Sequence, residues 1–141
     1  MPTDEELAAF LALPDSARRA LESCAGPGWW VYTPSPRPLP PPTGAICRDV
    51  TPPEFAWLPC NPLEIVRVAG ERARQRGRRG VPTTNPIEWG IEHDEEGAAG
   101  PFPRPWYASV SDPGLGFAYE SCARESAHIA ALALLAEVFA R

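Results

Sequence analysis

Proline is the feature that most limits what this chain can fold into. The 141 residues include 19 prolines, against an average share of about 5% in proteins. Six of the nine residues from Pro34 to Pro42 are proline. Because proline fixes φ and has no N–H to donate, such a run favours polyproline II or an irregular loop and cannot form a central strand. We therefore expect a proline-rich loop insertion over residues 34–59.

The proline run also contains a recognition pattern. Pro38-Leu39-Pro40-Pro41 is a PxxP segment, and Arg37 lies beside it. A PxxP segment in the polyproline II conformation can bind the aromatic groove of an SH3-type or WW-type domain. A stiff connection between two structured parts would have the same composition. The sequence leaves both interpretations open.

The rest of the chain has the composition of a folded domain. Hydrophobic residues make up 44% of it and charged residues 22%, with five Trp, five Phe and three Tyr available for a core. We expect a single domain over residues 1–141. Its expected parts are N-terminal helices in 1–26, the proline-rich loop region in 34–59, and a helix, a hairpin and a C-terminal helix in 61–141.

Two short helices are predicted before the first strand. Thr3 and Glu6 have the spacing of a capping box, and Pro14 is expected to end the helix that begins there. Asp15 or Ser16 is predicted to cap a second helix.

A longer central helix is predicted to begin at Asn61-Pro62 and to end at Gly77. Its predicted inner face consists of Leu63, Val66, Val68 or Ala69, and Ala73. Six of the 13 arginines lie between Arg67 and Arg79, which gives this segment a local positive charge. The cluster is typical either of a solvated helix end or of a site for a phosphate or another anion.

Strand patterns occur in five places. Residues 29–33 are aromatic and β-branched, and residues 45–50 are a candidate return strand within the proline-rich region. Residues 87–92 and 106–111 alternate with period two, and residues 117–119 form a short last run. Ser121 or Ser126 is expected to cap a final helix, whose apolar stripe contains Ile129, Leu132, Leu135 and Val138 or Phe139. These patterns predict an α+β fold, in which an antiparallel sheet of three to five short strands packs against helices and the helix 126–140 covers one face.

No catalytic motif is present. A chain without Lys cannot contain the usual phosphate-binding loop, and the GxSxG, HExxH and zinc deaminase signatures are absent. His93 and His128 are the only histidines. We do not expect Cys122, Glu125 and His128 to converge as a nucleophile set. We expect no enzymatic activity, no catalytic residue, no metal and no cofactor.

The four cysteines show no metal-binding or redox spacing. Cys24, Cys47, Cys60 and Cys122 form no CxxC pair. We expect reduced thiols in a reducing compartment, although the even count leaves a disulfide between some of them open.

Charge and hydropathy exclude several classes of partner. A net charge of −5 argues against a nucleic acid as the partner. The first residues have neither the basic nor the apolar region of a signal peptide. The longest apolar stretch, Ile129 to Ala136, is far shorter than the ~20 residues that span a bilayer. We therefore expect a cytoplasmic protein without a membrane partner.

The order of the predicted elements resembles that of the small phage proteins called the phage ABA-sandwich family. The resemblance rests on Gly28-Trp29 after a helix, on a central helix whose end, Arg72 to Gly77, is basic, and on the strand Trp106 to Val110 before an Ala- and Leu-rich helix. It covers about residues 16–141, and the segments 4–13 and 34–59 look like additions. Some members of that family are anti-defence proteins that sequester cyclic nucleotide or ADP-ribose signals, as the anti-Thoeris sponges do.

Two functions follow as expectations. The first is a small phage or bacterial accessory protein that binds and inhibits a host or defence protein, through an exposed aromatic surface of the proline-rich region that includes Phe55 and Trp57. The second is a sponge for a cyclic nucleotide or ADP-ribose-type signal. The candidate residues for that ligand are Arg67, Arg72 and Arg74 for phosphates, with Trp89, Trp106 and Tyr107 for bases. Self-association is left open.

Overall fold

The computed structural model describes residues 2–24, 26–32, 55–77, 86–100, 102–112, 118–121 and 124–140. Of the predicted proline-rich loop over 34–59, residues 34–54, and with them the PxxP segment, lie outside the described residues, whereas residues 55–59 form a strand, so the loop prediction is wrong there. The elements are, in order, α1 (Asp4–Leu11), α2 (Asp15–Ala20), a 3₁₀ turn (Leu21–Ser23), β1 (Gly28–Tyr32), β2 (Phe55–Pro59), α3 (Pro62–Arg76), β3 (Glu88–His93), β4 (Ala98–Ala99), β5 (Phe102–Pro103), β6 (Trp106–Ser111), β7 (Ala118–Glu120) and α4 (Ala127–Ala140).

The strands form antiparallel sheets, and the predicted α+β class is confirmed. One sheet has the order β3-β6-β7, a second pairs β1 with β2, and the two-residue strands β4 and β5 pair within the connection from β3 to β6. Helices α3 and α4 pack against each other and against β3 and β6. Since β3 lies at an edge of its sheet and against α3, its side chains border both the core and the surface.

The N-terminal helix begins as the sequence predicts, and the second helix does not. Glu6 N–H donates to Thr3 Oγ1 at 3.2 Å, and Thr3 N–H donates to Glu6 Oε2 at 3.2 Å, which completes the capping box. In α2 the N-cap position is Pro14, and no side chain caps the helix. The predicted cap at Asp15 or Ser16 is wrong because Asp15 is the first helical residue and its carboxylate pairs with Arg18.

The central helix has the predicted ends and a different inner face. Asn61 Oδ1 accepts a hydrogen bond from Leu63 N–H at 3.0 Å, and Gly77 is the C-cap with φ of 56°. Leu63 is 44% exposed, so its predicted place on the inner face is wrong. The buried residues of α3 are Ile65, Val66, Val68, Ala69, Gly70 and Ala73.

The last helix buries more of its surface than the predicted apolar stripe. Ser126 Oγ accepts a hydrogen bond from Ile129 N–H at 3.1 Å, as a cap should. Ser121 instead accepts a hydrogen bond from Ala108 N–H at 2.9 Å and holds β6. Because α1, α3 and β6 all pack on α4, its buried residues surround most of the helix: Ala130, Ala131, Leu132, Leu134, Leu135 and Val138.

The last five residues of the predicted proline-rich loop, Phe55–Pro59, instead form the strand β2. It pairs with β1 in the register that places Trp30 opposite Trp57. The two indole rings meet edge to face, with centroids 4.8 Å apart and an interplanar angle of 62°. Trp57 is only 1% exposed, so the prediction that it lies on an exposed partner-binding surface is wrong. The side chain of Phe55 lies outside the described residues.

Candidate functional site

The register of β3 and β6 separates the aromatic residues that the sequence grouped together. Trp89 pairs with Val110, and His93 pairs with Trp106. Both tryptophans therefore project from the same face of the sheet as Val110, which is fully buried. They are four positions apart along the strands, about 13 Å. Tyr107 projects from the opposite face, because successive side chains of a strand alternate. No single base could contact all three rings.

Trp106 has little free ring surface. The imidazole of His93 stacks on its indole, with centroids 3.9 Å apart and planes 5° apart. The Nδ1 atom of His93 lies 3.7 Å from a carboxylate oxygen of Glu95. One face of Trp106 is therefore already occupied within the chain.

Trp89 is the half-exposed aromatic residue of this sheet. Its side chain is 43% exposed, and it is one of three large hydrophobic residues with this much exposure among those that the structure describes. Its indole lies over Gly70 of α3, where an added Cβ would be 3.5 Å from Trp89 Cδ1. One side of the indole therefore packs on the helix, and the rest of the ring is exposed to solvent.

Two of the predicted arginines lie on the same side of α3 as Gly70. Arg67 precedes Gly70 by three residues and Arg74 follows it by four, and such residues are neighbours on one helix face. Leu63, one further turn back, is 44% exposed on the same side. We call this group, Leu63, Arg67, Gly70, Arg74 and Trp89, the Trp89 surface.

The two arginines of the Trp89 surface are in different electrostatic states. Arg67 Nε donates to Glu64 Oε2 at 2.6 Å, and Arg67 Nη1 donates to Glu71 Oε1 at 2.6 Å. The hydrogen bond with Glu64, aided by the charge of Glu71, raises the pKa of Arg67 above its ordinary value although burial opposes this. Arg74 is exposed and makes no ion pair with any described residue. Arg74 is the arginine of this surface that is available to a partner.

Arg72 lies on the other side of the helix. It follows Gly70 by two residues, a rotation of about 200° around the helix axis. Its guanidinium carbon is 5.0 Å from the centroid of the Phe139 ring, and its Nε is buried without a hydrogen-bond partner in the described part of the chain. A buried donor in this state costs about 1–3 kcal/mol.

A surface pocket of about 310 Å³ surrounds Arg72. We call it the Arg72 pocket; its lining consists of Ser16, Arg19, Ala20, Ser23, Val68, Glu71, Arg72, Gln75 and Phe139. The predicted arginine set is therefore divided, since Arg67 and Arg74 share a face with Trp89 whereas Arg72 faces α2 and α4.

A second pocket, which the sequence did not indicate, has a volume of about 200 Å³ and contains three ionisable side chains. Glu6 of α1, Cys60 after β2 and His128 of α4 line it together with Trp29. These residues are tens of positions apart, and only tertiary packing brings them together. Within the described residues no cluster of three or more His, Cys, Asp or Glu side chains could hold a metal ion.

Cys60 should react with a thiol reagent much faster than Cys24. Neither forms a disulfide with a described residue, but Cys60 is half-buried in the pocket whereas Cys24 is fully buried and its Sγ lies 3.7 Å from the Glu64 carbonyl oxygen. Access controls thiol modification. Timed alkylation of the native protein followed by peptide mass spectrometry should show Cys60 modified first. Equal rates at both positions would contradict the assigned burial.

No family model, curated protein or solved structure matches this chain. None of the helices in the described residues has the length and apolar character needed to cross a membrane.

Proposed function

We propose that this chain is a small phage or bacterial accessory protein that binds a host or defence protein and inhibits it, and that the Trp89 surface is the contact. The observation that carries the proposal is an indole that is 43% exposed yet fixed against the helix backbone at Gly70. The resemblance of the element order to the phage ABA-sandwich family, some of whose members are anti-defence proteins, supports an anti-defence role.

The composition of the Trp89 surface is that of an interaction hot spot. Trp and Arg are enriched among the residues whose truncation costs most at protein interfaces. An indole held in one orientation loses little side-chain entropy when a partner covers it. Trp89 meets both conditions, and exposed Leu63 extends the apolar area along the same helix face.

The charge of this surface specifies the chemistry of the partner. Arg74 is exposed and unpaired with any described carboxylate, whereas Arg67 is already held by Glu64 and Glu71. A fitting partner therefore has an apolar pocket for the indole and a carboxylate beside it for the Arg74 guanidinium.

Trp89→Ala is expected to remove partner binding and to leave the fold intact. The truncation of a hot-spot tryptophan costs about 2 kcal/mol or more, which is about 30-fold in affinity. Leu11→Ala is the matched control, because Leu11 is 44% exposed and lies on α1. Tagged wild-type, Trp89→Ala and Leu11→Ala chains are compared as baits in a bacterial lysate, and the affinity of each captured protein is then measured with purified components.

The proposal requires a protein that wild type and Leu11→Ala bind equally and that Trp89→Ala loses. Circular dichroism checks that all three chains are folded. A captured protein that Trp89→Ala binds as tightly as wild type contradicts the assignment of the surface.

The alternative function is a sponge for a cyclic nucleotide or ADP-ribose-type signal. The placement of Arg74 and Trp89 on one surface favours it, since a base could stack on the indole while a phosphate binds the guanidinium. Arg72 and Trp106 would not belong to this site. Calorimetry with cyclic di- and trinucleotides and cyclic ADP-ribose isomers distinguishes the two functions. Binding that Arg74→Gln and Trp89→Ala abolish supports the sponge, and no heat with any of these ligands at millimolar concentration excludes it.

A further inference from the structure

We propose that the Arg72 pocket is a binding site for a small organic anion, a carboxylate or phosphate that has a compact apolar group. The pocket lies across α3 from the Trp89 surface, so this inference does not depend on the proposed function. It rests on the state of Arg72, on a second arginine and on the apolar wall of the pocket.

Arg72 has an unused hydrogen-bonding capacity that its neighbour Arg67 lacks. Arg67 is bound by two carboxylates, whereas Arg72 makes no ion pair or hydrogen bond with any described residue, and its guanidinium carbon lies 5.0 Å from the centroid of the Phe139 ring. Its Nε is buried and has no acceptor. A guanidinium held in one plane by an aromatic ring presents its N–H groups as a fork, the geometry that carboxylate and phosphate oxygens accept.

Arg19 of α2 supplies a second positive charge at the same pocket. It too makes no ion pair or hydrogen bond with a described residue, while its neighbour Arg18 is paired with Asp15. The carboxylate in the lining, Glu71, accepts a hydrogen bond from Arg67 at 2.6 Å, which offsets its charge. Two uncompensated guanidinium groups therefore face one pocket, and they favour an anion.

The rest of the lining limits the size and the character of that anion. Ala20, Val68 and Phe139 form an apolar wall, and Ser16 and Gln75 add neutral hydrogen-bonding groups. A volume of about 310 Å³ is at the lower end of the range for small-molecule sites. The pocket therefore fits a small ligand with one oxyanion and one apolar group.

The test is a titration of the full chain with phenyl phosphate, benzoate and inorganic phosphate, followed by NMR at the arginine Nε–Hε signals. Sodium chloride at matched ionic strength controls for screening. We expect the Arg72 signal to shift and to saturate with phenyl phosphate or benzoate at a Kd of about 1 mM or tighter, and the Arg74 signal to stay in place. Inorganic phosphate, which lacks the apolar group, should bind more weakly.

Four variants make the result specific. Arg72→Lys, which keeps the charge but loses the planar fork of N–H groups, and Arg19→Gln, which removes a charge, should each weaken binding about tenfold or more. Arg74→Gln, on the other face of α3, and Trp89→Ala should leave the Kd unchanged. Because Arg19 is exposed, Arg19→Gln remains informative even if Arg72→Lys disturbs the packing on Phe139.

The opposite results overturn the inference. A shift that follows ionic strength without saturating would mean general screening. A Kd that Arg19→Gln does not change would mean that the two arginines do not act on one ligand. Equal affinity for inorganic and phenyl phosphate would remove the role of the apolar wall.

Discussion

Replacing Trp57 with alanine is expected to lower the free energy of unfolding by about 3–5 kcal/mol. The indole is 1% exposed and contacts Trp30 edge to face at a centroid distance of 4.8 Å. The substitution removes this contact and leaves a cavity between the β1-β2 sheet and the helices that the surroundings fill only in part. Urea denaturation followed by far-ultraviolet circular dichroism measures the loss.

Trp89→Ala is the matched control for Trp57→Ala, because it removes the same side chain from a site that is 43% exposed. It should cost about 1 kcal/mol, since much of the ring is in water in the folded state as well. Equal losses from the two substitutions would contradict the burial that the structure assigns to Trp57.

Replacing Gly28 with alanine is expected to destabilise the protein by about 3 kcal/mol. A Cβ at this position would lie 2.5 Å from Trp57 Cζ2 and 2.6 Å from the backbone oxygen of Leu58. Neither can move away easily, because the ring is buried in the core and the oxygen belongs to the paired strand β2. Thermal denaturation measured by circular dichroism should show a melting temperature well below that of wild type.

The control for this substitution is another strand glycine. Gly90 of β3 has nothing within 4 Å of an added Cβ, so Gly90→Ala should leave the melting temperature unchanged or raise it slightly. If Gly28→Ala and Gly90→Ala have the same melting temperature, the close approach of β1 to Trp57 is wrong.

The elements with local signals were predictable from the sequence. The capping box at Thr3 and Glu6, the Asn61 cap and the Gly77 end of α3 depend on contacts within a few residues. The sequences of β3 and β6 have the period-two alternation of a half-buried sheet, and burial alternates clearly in β6. Each of these patterns contains the interaction that fixes the element.

The burial of Trp57 and the exposure of Leu63 depend on distant partners. Trp57 follows a proline-rich segment that suggested a loop, but its pairing with Trp30, distant in sequence, places it in the core. Leu63 matches an apolar helix pattern, but it lies on the same side of α3 as Arg67 and Arg74. A local pattern does not indicate which face of an element a distant element will cover.

The types of residue in the candidate site could be predicted from the sequence, but not which of them share one surface. Arg67, Arg74 and Trp89 come together because β3 lies against α3 at Gly70. Residues two positions apart lie on nearly opposite sides of a helix, so the sequence alone could have shown that Arg72 and Gly70 face different directions. The pocket that contains Glu6, Cys60 and His128 needs three segments to meet, and no spacing in the sequence indicates it.

Photo-crosslinking from the Trp89 surface in living cells tests the central claim most directly. A benzoylphenylalanine is placed at Leu63 in one chain and at Leu11 in another; both positions are 44% exposed, and Trp89 is intact in each. We predict a discrete adduct with one partner protein from position 63, lost when Trp89→Ala is added, and no such adduct from position 11. The same adducts from both positions, or none from position 63, would contradict a partner-binding role for this surface.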